Sequence, residues 1–156
     1  KLNVIAKNMP DPDLARKEYW LPFIKDELST EDAVLIGHSS GAVAILRYLE
    51  QNKCKLAILV GACVAERRDQ HEKKSEYFDD PWNWDKIKEN AEKIVLFASS
   101  NDPYIPISEP LYIKDKIQPE YHEYSDEGHF GADVNKTEFP EIVNVVKKFI
   151  DKEKKK

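Results

Sequence analysis

Cysteine is scarce, with Cys54 and Cys63 the only two in 156 residues. Disulfides therefore do not staple the chain, a reducing compartment is the expected setting, and both thiols read as small packing groups. Long apolar runs are missing as well. The longest, Leu56 to Ala65, covers 10 residues, against the roughly 20 that a helix needs to cross a bilayer, so no membrane partner is expected. Positive charge is not in excess: 24 Lys and Arg face 29 Asp and Glu, a net charge of −5. Nucleic acid, which is gripped by clustered cations, is not an expected partner either. The one basic cluster, Lys147, Lys148, Lys152, Lys154, Lys155 and Lys156, is interrupted by Asp151 and Glu153, and 151–156 reads as a charged, solvated tail. Glycine numbers five and forms neither G-x-G-x-x-G nor a P-loop, which argues against nucleotide cradles. His38, His71 and His122 show no helical pairing of the zinc-protease kind, so no metal and no cofactor is expected.

What is present suits a buried core under a wet surface: 41% hydrophobic and 34% charged residues, at a length typical of one domain. Residues 1–156 are expected to form it. Lys1 opens the chain and Met9 is its only methionine, so an upstream segment, which could carry a targeting signal, is an expectation. Leu2 to Ala6 reads as a strand ended by Asn8, Pro10, Asp11 and Pro12. Trp20, Phe23, Ile24 and Leu28 recur at helical spacing, with Pro22 tolerable in a first turn. Further strands are expected at Ala33 to Ile36, Leu56 to Val60, Ile94 to Ala98 and Tyr121 to Tyr124. Ala42, Val43, Ile45, Leu46 and Leu49 mark one side of a helix, Ile87 opens a short one, and Ser108 to Ile117 is another. Glu138 to Ile150 carries apolar residues at 3.6 spacing, with Thr137 placed to cap it. Within 62–84 a polar stretch, Glu66 to Asp80 with Arg67 and Arg68, shows no apolar periodicity and reads as a lid-like excursion. Alternating strands and helices predict a three-layer α/β sandwich around a mainly parallel sheet.

The chemical signal is Gly37-His38-Ser39-Ser40-Gly41, a G-x-S-x-G pentapeptide between a strand and a helix. That spacing builds a sharp turn which lifts the central serine into a strained, exposed position, with both glycines expected to make room for the crossing backbone. Ser39 is the candidate nucleophile, and the backbone N–H of Ser40 the candidate oxyanion donor. A serine hydroxyl needs a base and an acid to orient that base. Asp102, on the loop after the fourth expected strand, and His129, between Gly128 and Gly131 after the fifth, supply the two types. The chain order Ser, Asp, His is one of the three known for such triads, that of α/β-hydrolases. His38, Tyr77, Phe78, Trp82 and Trp84 are candidate walls of a substrate pocket.

The chain resembles the small serine hydrolases of the retinoblastoma-binding α/β-hydrolase type. The resemblance rests on Ala6 to Pro12, Trp20-Leu21-Pro22-Phe23, Ile36 to Ala42, Tyr77-Phe78, Pro81-Trp82 with Trp84, Asp102-Pro103, Gly128-His129-Phe130 and Thr137-Glu138-Phe139. It implies a Ser39, His129, Asp102 triad, a cytoplasmic or nuclear setting, and hydrolysis of small esters or amides, with an aminopeptidase-like activity among the options. The alternative is a hydrolase fold of impaired catalysis serving as a protein-interaction module. Leu28-Ser29-Thr30-Glu31-Asp32 aligns with an L-x-C-x-E motif but has Thr for Cys and Asp for the final Glu, which argues against a retinoblastoma-type pocket protein as partner. Chains of this family begin with a further strand and a glycine-rich loop, so an N-terminally shortened sheet is expected here. The missing strand would lie between Leu2 to Ala6 and Ala33 to Ile36, and loss of its oxyanion donor would slow turnover by ~10² to 10³-fold.

Overall fold

The computed structural model describes residues 2–28, 30–66 and 70–155. Lys1, Ser29, Arg67, Arg68 and Lys156, discussed above, lie outside the described residues, as does the side chain of His71. Extended backbone becomes a strand only where a neighbour completes its ladder. Among the described residues four segments meet that condition: β1 Val34–His38, β2 Cys54–Val60, β3 Ala91–Ser99 and β4 Glu120–Tyr124. All pair in parallel in the spatial order β1-β2-β3-β4, with Ile36 opposite Ile58, Leu59 opposite Leu96, and Leu96 opposite Tyr121. Leu2 to Ala6 is not a strand, contrary to expectation. It joins no ladder, and Leu2, Val4 and Ile5 stay exposed; β-branched residues favour a strand only when a partner stands beside them. Among the described residues, β1 is thus an edge strand.

The continuous apolar run of β2 follows from burial on both faces. Leu56, Ile58 and Val60 point into one core with Val95, Phe97 and the helix α6, Pro140–Glu153, through Val145, Val146 and Phe149. Ala57 and Leu59 point into the other, shared with α2 (Ser40–Leu49), α4 (Trp84–Glu89) and α5 (Ser108–Ile117). The result is a helix–sheet–helix sandwich. Helix α2 was expected to be apolar on one side, yet every residue from Ala42 to Leu49 is buried, including Arg47. Helix α1, Lys17–Phe23, begins upstream of the expected start, which puts Pro22 in its second turn rather than its first. Proline has no N–H for the Glu18 carbonyl, and the chain continues as a π-turn over Ile24–Leu28. Thr137 does not cap α6: Phe139 stands at that position without a side-chain bond, and Pro140 opens the helix, where its missing N–H has no role.

The polar stretch is more ordered than its composition suggested. It carries a short helix, α3, Gln70–Ser75, and its Tyr77 is only 2% exposed. Arg47 is the reason. From the buried face of α2 its guanidinium donates to the backbone oxygens of Tyr77 at 2.8 Å, Asp80 at 2.6 Å and Pro81 at 3.1 Å, and to Glu50 at 2.8 Å. It also lies 3.6 Å above the Trp82 ring. At the other end of the segment, Glu109 of α5 accepts from the N–H groups of Val64 and Ala65 at 2.8 and 3.2 Å.

Candidate active site

Parallel strands deliver their following loops to one rim of the sheet, and the three chemistry-bearing residues lie on loops at that rim. Ser39 follows β1 directly, with φ +53° and ψ −119°, a conformation that an L-residue holds only under strain. Its N–H donates to the Val60 carbonyl at 2.9 Å, so the end of β2 braces the turn. Gly37 is required there, because a Cβ would stand 2.4 Å from the Gly41 carbonyl oxygen. Gly41 is not required for the same reason: a Cβ on it meets nothing within 4 Å. Only the first glycine makes room for the crossing backbone. Ser40 opens α2, where the first N–H groups have no partner within the helix and face outward.

His129 is set against Asp102. Its Nδ1–H donates to Asp102 Oδ2 at 2.7 Å, and the aspartate side chain is 3% exposed. Asp102 Oδ1 accepts from the N–H groups of Tyr104 and Ile105 at 2.8 and 2.9 Å. A carboxylate fixed at both oxygens can hold the imidazole in one tautomer, leaving Nε2 as a free base. Gly61, at φ +58°, lies beneath the ring: a Cβ there would come within 3.0 Å of His129 Cε1 and 3.2 Å of Nδ1. Gly61 follows Val60, which braces Ser39, so the serine turn and the imidazole share one support at the end of β2.

Several contributors were not foreseen. Ser99 and Asn101 tie the Asp102 loop to the His129 loop: the Ser99 hydroxyl donates to Asn101 Oδ1 at 2.7 Å and accepts from Glu127 N–H at 3.1 Å, while Asn101 Oδ1 also accepts from Gly128 N–H at 2.8 Å. Asp133 accepts from the N–H of His129 at 2.7 Å, a bond that holds its carboxyl below the usual range. The sequence placed Asp102 on a loop, but no pattern in the chain announced that the side chains of Ser99 and Asn101 would reach the next one. Beside Ser39 opens a cleft of about 230 Å³. Pro12, Asp13, Leu14 and Ala15 form one wall, and Tyr77 and Phe78 stand in the lining. The loop of Pro12 to Ala15 is held by Asp11, which accepts from Arg16 Nε at 2.8 Å, and by the Trp20 indole, which donates to the Pro10 carbonyl at 2.6 Å. Trp82 and Trp84, expected in the same pocket, line a separate depression with Lys116. Stacked rings 5.5 Å apart and the Arg47 contact keep them there. His38 is not in the cleft lining either; its ring lies 4.7 Å from that of His129. His122 stands on β4, stacked on Phe97. Among the described residues, no group of three or more His, Cys, Asp or Glu is placed to hold a metal ion, and no helix is long and apolar enough to cross a membrane.

A parallel sheet whose rim presents a strained serine after one strand, then an aspartate and a histidine in bonded contact, has the arrangement of the α/β-hydrolases. The serine hydrolase family model matches residues 2–148, and the chain belongs to that family of enzymes. It is 42% identical to Serine hydrolase RBBP9 of Rattus norvegicus over 147 residues, covering 94% of this chain and 77% of that protein. Among solved structures it is similar to the ydeN gene product of B. subtilis, with a TM-score of 0.81 at 28% identity, over 93% of this chain and 81% of that one. The serine hydrolase CCSP0084 from Cycloclasticus zankles shares the fold at 15% identity, with a TM-score of 0.63 over 94% of this chain and 75% of that one.

Proposed function

We propose that the chain hydrolyses small carboxylic esters or amides through an acyl-enzyme on Ser39. The observation that carries this reading is the 2.7 Å bond from His129 to the buried Asp102, on the same support as the strained Ser39 turn. In the proposed reaction Ser39 Oγ attacks the carbonyl carbon while His129 Nε2 takes the hydroxyl proton. Asp102 keeps the imidazole oriented and balances the charge that forms on it. The N–H of Ser40, at the start of α2, donates to the oxygen that becomes negative. His129 then returns the proton to the leaving alcohol or amine, and water, activated by the same imidazole, releases the acid. The cleft beside Ser39 suits a small acyl or leaving group, and the segment 62–84, clamped by Glu109 and Arg47, serves as its cover. An aminopeptidase-like reaction is the narrower form of this reading. The test is labelling with a fluorophosphonate, a probe that phosphonylates activated serines. The parent is expected to label and Ser39→Ala not to; a silent parent, or a variant that still labels, overturns the reading.

A further inference from the structure

His129 is gripped at three points. Its ring Nδ1–H donates to Asp102 and its backbone N–H to Asp133, each at 2.7 Å. The third grip is on its carbonyl oxygen, 2.7 Å from His38 Nε2. The loop needs such anchoring, since Gly128 at φ +48° and Phe130 at φ +59° bracket His129 with left-handed backbone. His38 is the residue immediately before Ser39 and the last of β1, so its bond links the base to the strand end that carries the nucleophile. Asp102 and Asp133 cannot make that link, because neither belongs to the serine turn.

We propose that His38 is a positioning residue, whose Nε2–H holds the His129 carbonyl and so sets the distance between the imidazole and Ser39. The inference rests on the Ser39 reading above. A carbonyl oxygen only accepts, so the proton must sit on Nε2. The His38 residue is exposed overall, yet desolvation disfavours its charged form and holds its pKa below the ordinary value, in keeping with a neutral ring that donates from Nε2. The ring also lies at 48° to the His129 ring, 4.7 Å between centres, limiting how far the imidazole can swing toward that side.

The test compares His38→Gln, whose amide can still donate to the carbonyl, with His38→Met, of similar length and no donor. A p-nitrophenyl ester supplies kcat and KM, a fluorophosphonate reports Ser39 reactivity, and thermal unfolding reports folding. Displacement of a reacting group by about 1 Å costs ~10²-fold, so His38→Met is expected to lower kcat by about 10- to 100-fold with KM nearly unchanged. His38→Gln is expected to recover most of that loss. A folded Met variant as fast as the parent, or a Gln variant as slow as Met, overturns the proposal while leaving Ser39 labelling intact; a parent that does not label overturns the underlying reading instead. Nitrogen NMR of the parent decides independently of any variant's folding: the Nε2–H tautomer of His38 supports the proposal, and the Nδ1–H tautomer overturns it.

Discussion

Replacing Gly61 with alanine tests whether the end of β2 supports the imidazole. An L-residue in the left-handed region costs ~1 to 2 kcal/mol, offset by about 0.4 to 1 kcal/mol because alanine has less freedom to lose from the unfolded chain. Net destabilisation near 1 kcal/mol lowers the melting temperature of a chain this size by about 2 to 4 °C. The larger effect is local. The new methyl would stand 3.0 Å from His129 Cε1 and 3.2 Å from Nδ1, so the ring must retreat by a few tenths of an ångström. Retreat is resisted by the Asp102 bond at 2.7 Å, the His38 ring at 4.7 Å and the Tyr104 ring at 5.2 Å. If about 1 Å costs ~10²-fold, then 0.3 to 0.5 Å costs about 4- to 10-fold in kcat. Ester turnover, fluorophosphonate labelling rate and calorimetry measure the three quantities on one preparation. Gly41→Ala controls for stability, since its methyl meets open space and alanine is the better helix residue by ~0.5 to 1 kcal/mol. Unchanged turnover in Gly61→Ala, with the expected fall in melting temperature, would refute the placement of the His129 ring on Gly61.

Two further outcomes are expected. Arg47→Met takes the charge partner from Glu50, which keeps only the Asn83 N–H, and the donor from three backbone carbonyls, and removing one partner of a buried pair costs about 3 to 5 kcal/mol. The melting temperature should fall by about 6 to 20 °C, and Arg47→Lys should not restore it, because a single ammonium cannot span four acceptors; tryptophan fluorescence in thermal unfolding measures both. Burial pushes the Cys54 thiol from its ordinary 9.0 up to about 12. The folded state therefore excludes the thiolate, so the stability contributed by this group is complete below pH 9 and is lost as pH rises toward 12. Urea unfolding of the parent and Cys54→Ala across that range should converge only at the alkaline end.

The reach of the sequence can be judged from particular residues. The all-apolar run at Leu56 to Val60 announced a strand covered on both faces, and it pairs on both sides with β1 and β3. The G-x-S-x-G pentapeptide announced a strand-to-helix turn, and Ser39 stands there with positive φ. Helix α5 was legible to the residue, Ser108–Ile117. The failures share a cause. Leu2 to Ala6 has the composition of a strand, but a strand is a property of two segments, and none of the described segments pairs with it. Arg47 carries no signal of burial in its own helix, and it is buried because the carbonyls of Tyr77, Asp80 and Pro81 come to it from thirty residues or more away. Trp82 and Trp84 read as pocket aromatics and were claimed by Arg47 and by each other.

By itself the chain determined which groups could react and in what order they occur, because residue type and local turn chemistry are written in neighbouring letters. Only the tertiary structure decided which of them meet. The Asp102–His129 bond spans 27 residues and the His38–His129 bond 91, and at such separations the contact is set by how the β2 support, the loop clamps and the two cores pack, not by any local preference.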